Sequence, residues 1–252
     1  MLPAEREKYI IDKLEEMESI KVEDIASELN VSLMTIRRDF ERLQDKGLLY
    51  RSHGGAVKRD IYLLEQSYDL KKISNIDIKE KIAKRALDII KEGDTIFLDA
   101  GTTNFEVARL VKEIKDVTII TNDLKIALEL YQNHVRTFIV GGIIQEETGC
   151  VMGPTAEEFI SNVKVNLAFL GTSGVSSDWR LSTPTFEKAS LKKKIIKSAS
   201  YSVVLVDNSK FNKESFVNIA SIEAVDAIIT DKKIVESERK YLDSLNVKVI
   251  NV

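Results

Sequence analysis

From residue 95 onward, seven short runs rich in Val, Ile and Leu recur with helical stretches between them. They are TIFLD (95–99), VTIIT (117–121), TFIVGG (137–142), LAFLGTS (167–173), SVVLVD (202–207), AIITD (227–231) and VKVINV (247–252). Strands this uniformly apolar need cover on both faces, which a sheet with one wet side does not. Their alternation with helices predicts a largely parallel sheet in an α/β domain. An amphipathic helix opens that domain, with Ile78, Ile82, Ala86, Ile89 and Ile90 on one face and Glu92-Gly93-Asp94 closing it. The expected domain is therefore 77–252. Residues 60–76 carry no clean period, so 59–76 reads as a linker, part helical.

Residues 1–58 follow a different plan. Pro3 suits the first turn of a helix over 3–18, in which Tyr9, Ile10, Leu14 and Met17 recur at helical spacing. A short helix over 22–29 presents Ile25, Ala26 and Leu29. After the turn Asn30-Val31-Ser32, Ser32 is placed to cap a third helix that runs to Lys46 and stops at Gly47. Ile36, Phe40 and Leu43 form its apolar stripe, while Thr35, Arg38 and Arg42 lie together on another side. Two short strands, 48–52 and 56–58, flank His53-Gly54-Gly55 as a small β-wing. Three helices and a wing make a small domain with a modest core.

The charge pattern sharpens this reading. The chain totals 37 Lys and Arg against 40 Asp and Glu, a net of −3, which argues weakly against a nucleic-acid partner. Residues 1–32 hold four basic and nine acidic side chains, whereas 33–59 hold seven basic and three acidic. A phosphate backbone responds to the local patch rather than to the total. The stretch 20–39 is thus a helix-turn-helix candidate. Ser32 and Thr35 are placed to reach phosphates or bases, and Arg37 and Arg38 to pair bidentately with guanine, with Arg42 on the flank. Arg51, His53, Gly54 and Lys58 of the wing are candidates for backbone or minor-groove contact. The bland alternative is a helical hairpin that only packs.

A single cysteine, Cys150, with two histidines offers neither an internal disulfide nor a standard zinc site, so no metal is expected. No apolar run approaches the roughly 18–20 residues that span a bilayer. The charged N-terminus is unlike a signal peptide, so no membrane partner and a cytoplasmic location are expected.

Ligands of open α/β sheets collect at the carboxyl ends of strands. Here those ends carry Asp99, Gly101, Thr102, Thr103 and Asn104; Thr121, Asn122 and Asp123; Gly141 and Gly142; Gly171, Ser173 and Gly174; and Asp207 to Lys210. The first is a Gly-hydroxyl loop that runs into a helix, a backbone suited to an anion such as phosphate. Lys210 is a candidate countercharge, and the amides and carboxylates suit hydroxyls. Together these ends predict a small, polyhydroxylated, phosphorylated ligand. Glu187, after the turn Ser182-Thr183-Pro184, is the best-placed base for an isomerase alternative.

In these segments the chain resembles the DeoR family of bacterial transcription regulators. The resemblance rests on VSLMTIRRDFERLQDKGLLYRSHGGAV (31–57), GDTIFLDAGTTN (93–104), IITND (119–123), IVGG (139–142), FLGTSGV (169–175), VDNSKF (206–211) and IITD (228–231), in the family's order over nearly the whole chain. It implies a winged helix-turn-helix joined to a C-terminal α/β sensor domain that looks like the fold of ribose-5-phosphate isomerase. It also implies operator double-stranded DNA and a phosphorylated sugar effector as partners, with a homodimer or homotetramer, no cofactor and no catalysis. The isomerases show an acidic Asp-Gly-Ala-Asp loop where this chain has Gly171-Thr172-Ser173-Gly174. The segment Ser177-Asp178-Trp179-Arg180 departs from the family pattern, in which a glycine is more typical. We expect Trp179 and Arg180 at the surface, and Cys150 and His134 as bystanders. The competing readings are an isomerase with an appended domain and a sugar-phosphate-binding scaffold that never touches DNA.

Overall fold

The computed structural model describes residues 2–17, 19–46, 48–52, 54–58 and 68–252. The expected helix stop at Gly47, the wing residue His53 and the first part of the expected linker (59–67) lie outside the described residues. The chain forms two compact units, Met1–Gln66 and Ser67–Val252.

In the first unit, α1 (Pro3–Met17) precedes β1 (Ser19–Lys21), α2 (Val22–Leu29), α3 (Leu33–Asp45), β2 (Leu49–Ser52) and β3 (Gly55–Lys58). The 3.6-residue period is borne out on each helix. Ile10 and Leu14, Val22 and Ile25, and Ile36, Phe40 and Leu43 are buried in one cluster with Leu49 and Ala56. Met17 instead stays exposed at the end of α1. The wing has a strand that period alone did not show. β1 pairs antiparallel with β3, Ile20 opposite Ala56, giving the order β1-β3-β2. Three residues form a strand there only because a distant partner satisfies them.

The second unit opens with α4 (Tyr68–Ile73), so part of the expected linker is folded helix, followed by α5 (Ile76–Leu87). Next come β4 (Thr95–Leu98), α6 (Thr102–Val111), β5 (Thr118–Thr121), α7 (Leu124–Gln132) and β6 (Arg136–Ile139). The hairpin β7 (Ile143–Ile144) and β8 (Val151–Met152) leads to α8 (Pro154–Ser161), β9 (Val165–Leu170), β10 (Gly174–Val175) and β11 (Arg180–Thr183). The chain ends with α9 (Phe186–Ser198), β12 (Ala199–Leu205), β13 (Val217–Ser221), β14 (Ala227–Thr230), α10 (Glu236–Ser244) and β15 (Lys248–Asn251). All seven expected strands lie in one parallel sheet, in the order β15-β14-β12-β9-β4-β5-β6.

Pleating divides each strand between two cores. Ile96 and Leu98 face α5, α6 and α7 through Ile82, Val107 and Ile126, whereas Phe97 faces the side of Ile160, Leu191 and Ile195. Each fully buried side chain of this size contributes about 1.5–3 kcal/mol relative to exposure. The sheet also fixes where a ligand fits. From β4 the chain proceeds outward through β5 to β6, then returns to β9 and proceeds the other way through β12, β14 and β15. The reversal falls between β4 and β9, and crevices open at the carboxyl ends of strands at such a point.

Three short strands form a separate antiparallel sheet, β10-β11-β13. Trp179 lies in its tight turn and departs from expectation. It is buried, packed edge-to-face on Phe211 with centroids 5.8 Å apart. Its φ of 62° is in the left-handed region that favours glycine. Arg180 is exposed, as expected, and pairs with Asp178 at 2.8 Å.

Candidate functional site

Ser32 caps α3. Its Oγ accepts from the Thr35 N–H at 3.1 Å and lies 2.9 Å from Thr35 Oγ1. Arg37 and Arg38, one turn in, are exposed and form no ion pair among the described residues. Arg42 behaves differently from them. Its guanidinium donates to the buried Asp39 and stands 3.3 Å from Glu7. Behind it, the buried Arg6 also donates to Asp39, with Nη2 at 3.1 Å from Oδ1, and Lys46 Nζ lies 2.6 Å from Glu7. Asp39 holds the Arg6 guanidinium above its ordinary value. This network fastens α1 to α3, so the charge of Arg42 belongs largely to the scaffold.

On the wing, Arg51 lies 3.9 Å from Glu41, and its N–H donates to Gln44 Oε1 at 3.1 Å. Gly54 turns the wing with φ 82°. Two residues escaped the sequence reading. Leu33 and Met34 are exposed beside Thr35, where apolar side chains suit a thymine methyl. Their position off the Ile36-Phe40-Leu43 stripe was the available signal.

In the second unit the ends of β4, β5 and β9 come together. The Asp99 carboxylate, buried at the reversal of strand order, accepts the Gly171 N–H at 3.0 Å. It also accepts from Lys192 Nζ, which in turn donates to the Gly171 carbonyl at 2.9 Å. Thr121 Oγ1 donates to the Leu98 carbonyl at 2.7 Å. Asn122 Oδ1 accepts the Ala100 N–H at 2.9 Å, and Asp123 Oδ2 accepts the Gly101 N–H at 3.2 Å. Two side chains from the turn after β5 thereby set the backbone of the β4 loop. Asp123 also caps α7 through Lys125 and Ile126 N–H groups, while burial pushes its carboxyl up.

Among the described residues, no side chain caps α6. Gly101 stands at its N-cap with φ 155° and ψ 156°, a region open essentially to glycine alone. The helix start at Thr102, Thr103 and Asn104 is thus left to backbone N–H groups, which attract anions. Asn104 Nδ2 donates to the carbonyls of Asp99 at 2.7 Å and Phe169 at 3.2 Å, yet its buried Oδ1 has no partner.

The remaining expected residues fall in four places. Gly141 and Gly142 lead into the β7–β8 hairpin, where a Cβ on Gly142 would lie 2.5 Å from the Met152 carbonyl. That hairpin returns to β5 through Val151 N–H on the Asn122 carbonyl at 2.7 Å. The loop after β9 is tied to β11, with Ser173 N–H on the Ser182 carbonyl at 3.0 Å and Thr172 Oγ1 2.9 Å from the Gly174 carbonyl. Glu187 is exposed in the first turn of α9. The buried face of α9 instead carries Lys188 and Lys192. Lys210 is half-buried in the turn after β12, beside Asp207.

Three further residues belong to these walls. Cys150 is buried beside Asn122, with Asn122 Nδ2 3.4 Å from its sulfur, and burial pushes its thiol up to about 12. It is part of the wall, in an unreactive state. Lys79 of α5 is buried and donates to the Lys71 carbonyl. Burial lowers its ammonium to about 8, with Asp207 and Glu106 opposing and Lys210 and Lys71 adding to the fall. Tyr68 of α4 is buried as well, and its hydroxyl has no partner among the described residues. Lys192 had one sequence signal, since 188, 191, 192 and 195 share a helical face.

The comparisons with known proteins agree with both units. A family model described as the DeoR-like helix-turn-helix domain matches residues 6–62, and the DeoR C terminal sensor domain matches 74–232. The HTH-type transcriptional regulator GlpR of Haloferax volcanii is 37% identical over 100% of this chain and 98% of its own. The glycerol-3-phosphate regulon repressor of Escherichia coli K12 is 32% identical over 92% of each chain. Among solved structures, ribose 5-phosphate isomerase A of Methanocaldococcus jannaschii covers 55% of each chain at 23% identity, with a TM-score of 0.41. Matched over nearly its whole length by these regulators, and over 6–62 and 74–232 by models of the two domains, the chain belongs to the DeoR family of helix-turn-helix transcription regulators.

Proposed function

We propose that this regulator acts in the cytoplasm as a homodimeric or larger repressor of sugar-metabolism genes, and that a phosphorylated sugar in the second unit sets its affinity for operator DNA. The observation that carries the reading is a division of charged groups within one chain. Arg37 and Arg38 stand exposed near the start of α3, while an uncapped helix start lies beside Asp99 at the reversal of the sheet. One relative is named for glycerol 3-phosphate, which supports a small phosphorylated effector. The phosphate fits the N–H groups of Thr102–Asn104, with Lys210 as countercharge. Asp99, Asn122 and Asp123 shape the loop that holds it. A second half-site contact follows from the weak grip of one winged helix. A tenfold switch needs the effector to separate two states by only about 1.4 kcal/mol.

The test joins both ends of the molecule. Fluorescence anisotropy on DNA from upstream of the protein's own coding region should show the double variant Arg37→Ala, Arg38→Ala losing at least about tenfold to a hundredfold, at about 1–3 kcal/mol per bidentate contact. Unaltered affinity would leave a sensor that does not use α3 on DNA. Thermal-shift screening of phosphorylated sugars should give a hit that Lys210→Ala weakens; a hit that survives intact would remove Lys210 from the phosphate site.

A further inference from the structure

Among the described residues, two buried side-chain polar atoms lack a hydrogen-bond partner, Tyr68 Oη and Asn104 Oδ1. They belong to neighbouring structure. Tyr68 packs edge-to-face on Phe105, the residue after Asn104, with centroids 6.4 Å apart. Lys125 Nζ, at the start of α7, lies 4.0 Å from the centre of the Tyr68 ring and donates to the Thr148 carbonyl at 2.7 Å. The Tyr68 N–H donates to the Glu147 carbonyl at 3.3 Å. The ring is therefore wedged between the starts of α6 and α7 and the turn of the β7–β8 hairpin. Those are the walls of the crevice. Every ring contact is satisfied, and only the hydroxyl is left over.

We infer that Tyr68 is an effector-reading residue, whose hydroxyl takes its missing partner from a hydroxyl of the bound sugar phosphate and so makes α4 the cover of the site. This rests on the sensor reading above and names a further part of the same site. The neighbouring charges indicate which end of the ligand it meets. Asp123, Glu106 and Asp69 are the carboxylates that act on the Tyr68 hydroxyl. With those carboxylates on one side and the Lys125 ammonium over the ring on the other, the phenol suits a neutral sugar hydroxyl, which both donates and accepts. The Asn104 carbonyl oxygen, an acceptor without a donor, asks for the same kind of group. In sequence α4 is the first element of the second unit after β3 ends at Lys58, so a ligand held by Tyr68 is held by the element next along the chain from the wing.

Tyr68→Phe tests this in the full-length chain, because it keeps the ring and removes only the hydroxyl. Calorimetric titration uses ribose 5-phosphate and glycerol 3-phosphate, with inorganic phosphate alongside, and hydrogen exchange follows residues 68–73. The variant should bind a sugar phosphate about tenfold or more weakly than the parent. Its affinity for inorganic phosphate and its ligand-free melting temperature should be unchanged or higher. Sugar phosphate should slow exchange in α4 of the parent and not of the variant. Equal sugar-phosphate affinity, or equal losses for both ligand types, would overturn the role of Tyr68 and leave the sensor reading standing. A lower ligand-free melting temperature would show that the hydroxyl has a partner in the empty protein, overturning it too. Failure of the parent to bind either sugar phosphate would bring down the sensor reading and this inference together.

Discussion

The two units bury charge in opposite ways. In the first, Asp39 is fully enclosed and holds Arg6 and Arg42, while Glu7 holds Arg42 and Lys46, so every buried charge is matched across α1 and α3. In the second, buried charge collects around a crevice. Lys192 is matched by Asp99, Lys79 stands among Asp207 and Glu106 as well as Lys210 and Lys71, and among the described residues two buried polar atoms are orphaned. A closed network fixes one geometry and frees Arg37 and Arg38 for another molecule. An open one leaves work that only a ligand completes. Rigidity serves the DNA-binding unit, and unfinished pairing serves the sensor.

The contrast breaks most sharply at Asp39. Replacing it with alanine strands the Arg6 guanidinium in the core, and stability should fall by about 3–5 kcal/mol. Denaturant unfolding of the full chain should show an early transition confined to the first unit. A loss no larger than that of an exposed pair would mean that this network is not closed. Gly101→Ala should have a smaller effect on folding, about 1–3 kcal/mol, because the added methyl meets open space and only the backbone is strained. Its larger consequence should be a weakened response to sugar phosphate, read by thermal shift, since the strain relaxes by moving the N–H groups of the loop.

The gentlest test is a pH profile. Lys79 sits near 8 when folded against 10.5 otherwise. The folded protein releases this proton before the unfolded chain does, so stability should climb between pH 8 and 10.5 and decline as pH falls through 8. Subtracting the profile of Lys79→Met from that of the parent should isolate this slope. Identical profiles would place the Lys79 ammonium in water.

What was legible in the sequence follows from how local its causes are. The seven strands were readable because the inner ones are buried on both faces and even the edge strand β6 keeps an apolar run, so such runs mark them without knowledge of their partners. The helices of the first unit were readable from Ile36, Phe40 and Leu43 at helical spacing. β1 and the strands β10, β11 and β13 were not, being two to five residues long and stabilised by partners far along the chain. Arg42 read as a cation for DNA because Glu7 lies on another helix and the burial of its i−3 neighbour Asp39 is set by packing against α1. Lys192 was lost in a lysine run, and Glu187 was favoured beside it, because the shared face of 188, 191, 192 and 195 does not by itself say which side of the helix is buried. Tyr68 was missed because it lies in a segment without a period.

The turn that buries Trp179 has a spectroscopic consequence. The chain has one tryptophan, and it rests on Phe211, the residue after Lys210, with Lys232 Nζ 5.4 Å from the centre of that phenyl ring. Intrinsic tryptophan emission is therefore a private signal of the sensor unit, silent about the winged helix even when both are present. It watches the turn that carries the candidate countercharge. Unlabelled protein titrated with an effector should report occupancy through that one fluorophore, while labelled operator reports DNA release separately, so the two ends of the switch can be timed against each other in one cuvette.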